Sequence, residues 1–180
     1  RVEVFTLLEY QRFEARLRDA GFRDHGGMIG RFLFGEEDRQ LDVIPADASI
    51  LGFENTWQRD SLPDARWVSL PSDSRIRVLP PPNLLATKFE AFAGRGGGDY
   101  LGSPDFEDIV ALIDGRSELP GEAEDSSPEL RTYLASQARD VLDNDRATEA
   151  IVAHLQFGRG GRERADAIVL PRLKEMAGLT

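Results

Sequence analysis

Asn83-Leu84-Leu85-Ala86-Thr87-Lys88-Phe89-Glu90-Ala91-Phe92-Ala93 is the stretch on which the fold turns. It follows three prolines, Pro80 to Pro82, which end a preceding strand and are tolerated in a first helical turn. At 100° per residue, Leu84, Leu85, Phe89 and Phe92 cover an arc of about 140°, which predicts an amphipathic helix. Lys88 falls inside that arc, between Leu84 and Phe92. A lysine so placed snorkels to the surface, pairs with an acid, or points into a polar cleft, where a compact charge suits phosphate.

Upstream of this helix the pattern is mostly β. Val2 to Phe5 reads as a strand, and Glu9 to Ala20 as a helix with Tyr10, Phe13 and Leu17 on one face and Gly21 as its stop. Met28 to Phe34 and Gln40 to Ile44 are β-type runs around an acidic turn, Gly35 to Asp38. A less regular stretch, Ala46 to Leu62, carries Trp57 and predicts short helix. Trp67 to Leu70 and Ile76 to Leu79 form a second hairpin. Downstream, the glycine-rich loop Gly94 to Gly98 carries Arg95 and leads into a helix from Ser103-Pro104 to Asp114, with a serine cap and proline in its first position. Pro128 to Leu142, Arg146 to Leu155 and Arg162 to Ala177 then read as helices, with no β run after Leu79. The expected organisation is an α/β part of the α+β type, residues 1–115, followed by a helical region, residues 116–180.

Composition bounds the function. In 180 residues, 41% are hydrophobic and 30% charged, so a normal core can form and wholesale disorder is excluded. The absence of cysteine removes disulfides, thiolate zinc sites and cysteine nucleophiles, and the two histidines, His25 and His154, are far apart in sequence. A net charge of -10 disfavours non-specific coating of polyanions without excluding a local basic cleft. No apolar run has the length of a membrane span and no signal-peptide pattern opens the chain, so a cytoplasmic protein without membrane contact is expected. The chain opens at Arg1 inside a β-like run, which reads as a fragment of a longer polypeptide.

Asp42 interrupts Leu41-Asp42-Val43-Ile44, and period-2 alternation places it on the face opposite Leu41 and Val43. It is either a solvated strand acid or a rigidly held carboxylate that binds a hard cation or acts as a base. Asp105 and Asp108 lie on the helix after Lys88, where either can partner Lys88 or Arg95; Asp105 also suits the first helical turn. The loop Gly94 to Gly98 lacks the spacing of a P-loop and follows no strand, so it reads first as a connection between helices. Arg159, Arg162 and Arg164 form a late basic cluster, a candidate RNA-phosphate contact or a solvated turn. Neither histidine nor any serine has the partners of a hydrolytic triad.

Taken in order, these residues resemble a known family. The run Glu9-Tyr10-Gln11-Arg12-Phe13-Glu14 to Gly21-Phe22 leads to Leu41-Asp42-Val43-Ile44-Pro45 and Ile50-Leu51-Gly52-Phe53. Thr87-Lys88-Phe89-Glu90-Ala91-Phe92, Arg95, Gly98-Asp99-Tyr100 and Asp105-Phe106-Glu107-Asp108-Ile109-Val110 follow. Over about residues 1–118 this is similar to the AbiEii/AbiGii toxin family of nucleotidyltransferase-like proteins, which includes the MenT toxins. The resemblance implies a polymerase-β-like core with a small mixed sheet, in which an Asp-x-Asp pair and a third acid bind two magnesium ions. It implies transfer of a nucleotide from a nucleoside triphosphate to tRNA or a protein acceptor, release of pyrophosphate, and silencing by an antitoxin protein.

By position the resemblance makes Asp42 the third, metal-binding acid, Lys88 the lysine for the nucleotide phosphates, and Asp108 the acid of the last motif. Arg95, Asp99 and Asp105 are expected beside the nucleotide. The family's glycine turn and Asp-x-Asp pair fall upstream of Arg1, and Glu3 corresponds to an acid after that pair. One strand carboxylate cannot organise a two-metal site, so the 180 residues are expected to be inactive and the activity to belong to the longer polypeptide. The alternatives are a nucleotidyltransferase of the same superfamily acting on a small molecule, and a non-catalytic module that keeps the fold.

Overall fold

The structure, a computed structural model, describes residues 7–27, 30–43, 56–155 and 160–179. The chain divides into two compact units, Arg1–Asn55 and Thr56–Thr180. The described residues are mixed α and β, helix-rich, with two small antiparallel sheets. The expected strand Val2 to Phe5, and Met28, Ile44 and Ile50 to Phe53, lie outside the described residues.

In the first unit, α1 (Leu7–Asp19) is followed by β1 (Phe22–Asp24), β2 (Arg31–Phe34) and β3 (Arg39–Asp42). The strands pair antiparallel in chain order, with Phe22 opposite Phe34, and Phe32 opposite Leu41. Short connections dictate this, because a parallel pair needs a crossover of a dozen residues or more. Among the described residues, Tyr10 of α1 and Phe32 of β2 are the buried side chains here, and the Phe22 and Phe34 rings meet at 4.7 Å. Burial, then the neighbouring Glu14 carboxylate, pushes the Tyr10 phenol up to about 12. Gly30 is demanded by its surroundings. Its φ is 82°, Val43 N donates to its carbonyl at 2.7 Å, and a Cβ there would lie 2.7 Å from the Val43 carbonyl oxygen. The three-residue β1 has no β signature of its own, and sequence periodicity passed over it.

The second unit starts with α2 (Thr56–Ser61), a 3-10 turn (Leu62–Asp64), and the hairpin β4 (Arg66–Ser69) and β5 (Arg75–Val78). Arg77 anchors this hairpin by donating to the carbonyls of Leu62 and Ala65, and Arg75 lies 5.0 Å over the Trp67 ring. Next come α3 (Pro81–Arg95), α4 (Pro104–Gly115), α5 (Leu119–Glu124), α6 (Pro128–Leu142) and α7 (Asp145–His154). The last helical stretch is α8 (Gly161–Arg164), a π-helical turn (Ala165–Val169) and α9 (Leu170–Met176). α3 packs against α2, α4, α5 and α6, and contributes Leu85, Ala86 and Phe89 to one core with Phe106, Ile109, Ile113, Leu134 and Ile151. Residue 115 falls inside this unit, and α4 shares its core with the helices that follow.

Capping sets the helix ends. Ser103 accepts from Phe106 N at the start of α4, Ser127 from Leu130 N at the start of α6, and Asn144 from Arg146 N and Ala147 N at the start of α7. Among the described residues no helix is long and apolar enough to cross a membrane.

Candidate functional site

The helix α3 buries a face different from its apolar arc. Asn83, Leu85, Ala86, Thr87 and Phe89 are buried, whereas Leu84 is exposed. Lys88 therefore stands at the rim, its side chain 27% exposed, and turns toward α4. Its Nζ lies 3.3 Å from Asp105 Oδ1 and 2.5 Å from Asp108 Oδ2. Of the three options open to it in the sequence, pairing with acids is the one taken, and Asp108 is among the partners.

Arg95, in the last turn of α3, reaches the same acid. Its Nε and Nη2 donate to Asp105 Oδ2 and Oδ1 at 2.7 and 2.8 Å. Asp105 is 3% exposed, while Asp108 is 55% exposed. Burial alone would raise the Asp105 carboxyl, but the Arg95 hydrogen bonds and charge, then those of Lys88, hold it below the usual carboxylate range. Burial likewise works against the Lys88 ammonium, and Asp108, then Asp105, more than offset it and hold it above the ordinary lysine value. Two cations and two acids thus sit at the junction of α3 and α4, one acid buried under both cations and the other at the surface.

The loop between these helices is built for tightness. Gly96 N donates to Phe92 O at 2.8 Å, and a Cβ on Gly96 would sit 2.4 Å from the Phe92 ring. Asp99, expected beside the nucleotide, instead accepts from Leu101 N and Gly102 N and closes its own turn. Tyr100 then packs on Phe92 and Phe106, its hydroxyl accepts from Asn144 Nδ2, and His154 Nε2 lies 2.8 Å from its carbonyl. These contacts fix the loop that separates Arg95 from Asp105.

Asp42 belongs to the first unit. It lies opposite Arg31 in the β2–β3 register, and Arg31 Nε and Nη2 donate to its two oxygens, both at 2.7 Å. Its side chain is 45% exposed. Among the described residues no three carboxylate or imidazole groups converge to hold a metal. Both Asp42 oxygens are engaged by a guanidinium, and the described residues by themselves assemble no magnesium site. Of the late basic cluster, Arg159 lies outside the described residues, Arg164 pairs with Asp114 at 2.6 Å, and Arg162 is exposed.

Two features escaped the sequence reading. Glu90 accepts from the backbone N–H groups of Thr56 and Trp57 at 2.9 and 3.0 Å, capping α2 from α3. Its partners are more than thirty residues away, so no local pattern marks it. The second is a cleft of about 790 Å³ within the second unit, bordered by α2, the three prolines, α5 and the start of α6. Asp60, Asp64, Glu122, Asp125 and Glu129 line it with a single cation, Arg66, and Trp57 forms part of its wall. No protein-family model, curated protein or solved structure matches the chain.

Proposed function

We propose that this chain is part of a nucleotidyltransferase-like toxin component, built on a polymerase-β-like core and paired with an antitoxin protein in the cytoplasm. It would transfer a nucleotide from a nucleoside triphosphate to tRNA or a protein acceptor and release pyrophosphate. The observation that carries this reading is the junction of α3 and α4. There the lysine, arginine and acids of the two most specific motif segments stand within hydrogen-bonding distance of one another. Asp105 is buried, whereas Asp108 is exposed. A phosphate oxygen that displaces Asp108 would take the Lys88 ammonium, while Arg95 keeps Asp105 neutralised from the other side. No catalytic step is assigned to magnesium, because the described residues by themselves assemble no site for it.

A specific observation supports a second reading, the non-catalytic module. Arg31 clasps Asp42, the residue the resemblance makes a metal ligand, through both oxygens. Calorimetric titration of the chain with each nucleoside triphosphate tests the common premise. Lys88→Met is expected to weaken triphosphate binding by about 1.5–3 kcal/mol, the scale of a hydrogen bond to a charged group. Equal affinities, or no binding by the unaltered chain, would overturn the proposal. Binding without passage of an α-phosphate label to RNA or protein selects the module over the transferase.

A further inference from the structure

Independently of the nucleotidyl-transfer reading, we propose that the hairpin of β4 and β5 docks a third strand along β5, supplied by an acidic peptide segment in which carboxylates alternate with apolar residues. The facing pairs run from Arg66 and Val78 to Ser69 and Arg75, and just beyond them Leu70 N donates to Ser74 O at 2.8 Å. Hydrogen-bonded and non-bonded pairs alternate along an antiparallel ladder. Two steps on from the Leu70 bond, Val68 and Ile76 therefore bond each other, while Trp67, Ser69, Arg75 and Arg77 turn their backbone N–H and C=O groups outward. Among the described residues no third strand pairs with either edge, and each strand packs chiefly on the other. A hairpin so placed is marginal in water and gains from an added strand. Its turn is already closed, with Asp73 N donating to Leu70 O at 3.0 Å, so the template is preformed.

The two faces of the hairpin select the occupant. Facing residues share a side of the sheet, which puts Val68, Ile76 and Val78 on one face and Trp67, Arg75 and Arg77 on the other. The three aliphatic side chains are 39 to 43% exposed. Residues 66–78 hold three arginines against one acid, Asp73 in the turn, although acids outnumber basic residues 32 to 22 in the whole chain. Arg66 lies on the aliphatic face and has the Glu122 carboxylate near it. Arg75 meets no carboxylate among the described residues and lies over the Trp67 ring, while Arg77 meets only the neutral carbonyls of Leu62, Pro63 and Ala65. Two uncompensated cations thus stand side by side along β5. A second copy pairing β5 to β5 would bring like charges together. A nucleic-acid strand would use the arginines and the indole but neither the aliphatic face nor the outward backbone groups. A peptide strand with carboxylates at alternate positions meets the arginines on one face and extends the aliphatic side chains on the other.

Fluorescence anisotropy of a labelled acetyl-Glu-Val-Glu-Val-Glu-Val-amide peptide, titrated with the full chain, tests the site. Saturable binding is expected, and lysine in place of every glutamate should abolish it. Arg75→Gln should weaken binding by about threefold, the worth of one exposed charge pair. Arg75→Pro also removes an outward N–H without touching the ladder to β4, and should weaken it by about tenfold. In the complex, hydrogen exchange should slow at the amides of Arg75 and Arg77 and stay fast at Trp67 and Ser69 on the opposite edge. Absence of saturable binding, binding unaltered in Arg75→Gln, or binding that leaves the Arg75 and Arg77 amides unprotected would overturn the proposal. Saturable binding of a single-stranded oligouridylate in place of the peptide would also overturn it and give the face to nucleic acid. Circular dichroism establishes that each variant is folded before titration, and Arg75→Gln carries the test if the proline variant is not.

Discussion

Asp105 and Asp42 are each held by an arginine through two hydrogen bonds, at 2.7 and 2.8 Å in one case and 2.7 Å twice in the other. The geometry is the same, and the surroundings are not. Asp105 is 3% exposed, sits in the first turn of α4 and accepts a third contact from Lys88. Asp42 is 45% exposed on a short strand whose residues are all open to water. A carboxylate withdrawn from solvent depends on its partners to remain charged, whereas one in solvent keeps its charge without them. The pair between α3 and α4 therefore fixes how two helices meet, while the pair between β2 and β3 decorates a register already set by backbone hydrogen bonds.

The largest expected effect comes from breaking the first pair. Asp105→Asn leaves Arg95 and Lys88 facing a neutral amide. Buried ion pairs that lose one partner cost about 3–5 kcal/mol, and the exposure of Arg95 lowers the expectation here to about 2–3 kcal/mol. Urea denaturation followed by circular dichroism measures it. The sign of the pH dependence follows from the depressed folded-state carboxyl. Its stabilisation is present above the unfolded carboxylate pKa, near 3.9, and is lost as pH falls through the lower folded value. The difference between wild type and Asp105→Asn should therefore be constant near neutrality and shrink below about pH 4. A difference that stays constant down to pH 2 would show that the pair carries no such linkage.

Next in size is Gly30→Ala, which asks where the stability of the three-stranded sheet lies. The substitution demands a φ of 82° from alanine and places Cβ 2.7 Å from the Val43 carbonyl oxygen. Left-handed strain and the steric conflict together should cost about 2 kcal/mol. Hydrogen exchange should show lost protection at β1, β2 and β3 while α3, α4 and α6 keep theirs, because the two units have separate cores. Uniform loss across the chain would make the units one cooperative body.

Much of this contrast was legible in the sequence. The helix starts at Pro81, Pro104 and Pro128 follow from proline and serine at defined positions, and both hairpins from β runs flanking turn residues. Lys88 was marked by its place in an apolar arc, and Asp105 and Asp108 as acids that can partner it by their place on the next helix. What could not be read was which acid is buried. Asp105 looks like an ordinary first-turn acid, and only the fold of the Gly96 loop brings Arg95 back over it. Asp99 looked equally polar but is consumed by its own turn. Among the described residues the strands form two small antiparallel sheets, each joined by short connections. The lined cleft draws on four separate places in the second unit, and no linear pattern carries that information.

The smallest effect should come from Asp42→Asn. β2 and β3 are aligned by four opposed residue pairs, and Gly30 ties to Val43 just beyond them, so the register survives without the ion pair. Arg31 is held above its usual value chiefly by the hydrogen bond to Asp42, but both side chains reach water, and solvent replaces much of what the pair provides. The urea midpoint should move less than for either previous variant. The residual shift should vanish as salt is raised to about 1 M, where the screening length falls to about 3 Å. Should Asp42→Asn instead destabilise the chain as much as Asp105→Asn, and do so at high salt, exposure would not be what separates the two pairs. A negligible effect on folding makes Asp42 available for a test of function in a longer polypeptide, where any loss of nucleotide transfer would then belong to chemistry rather than to the fold.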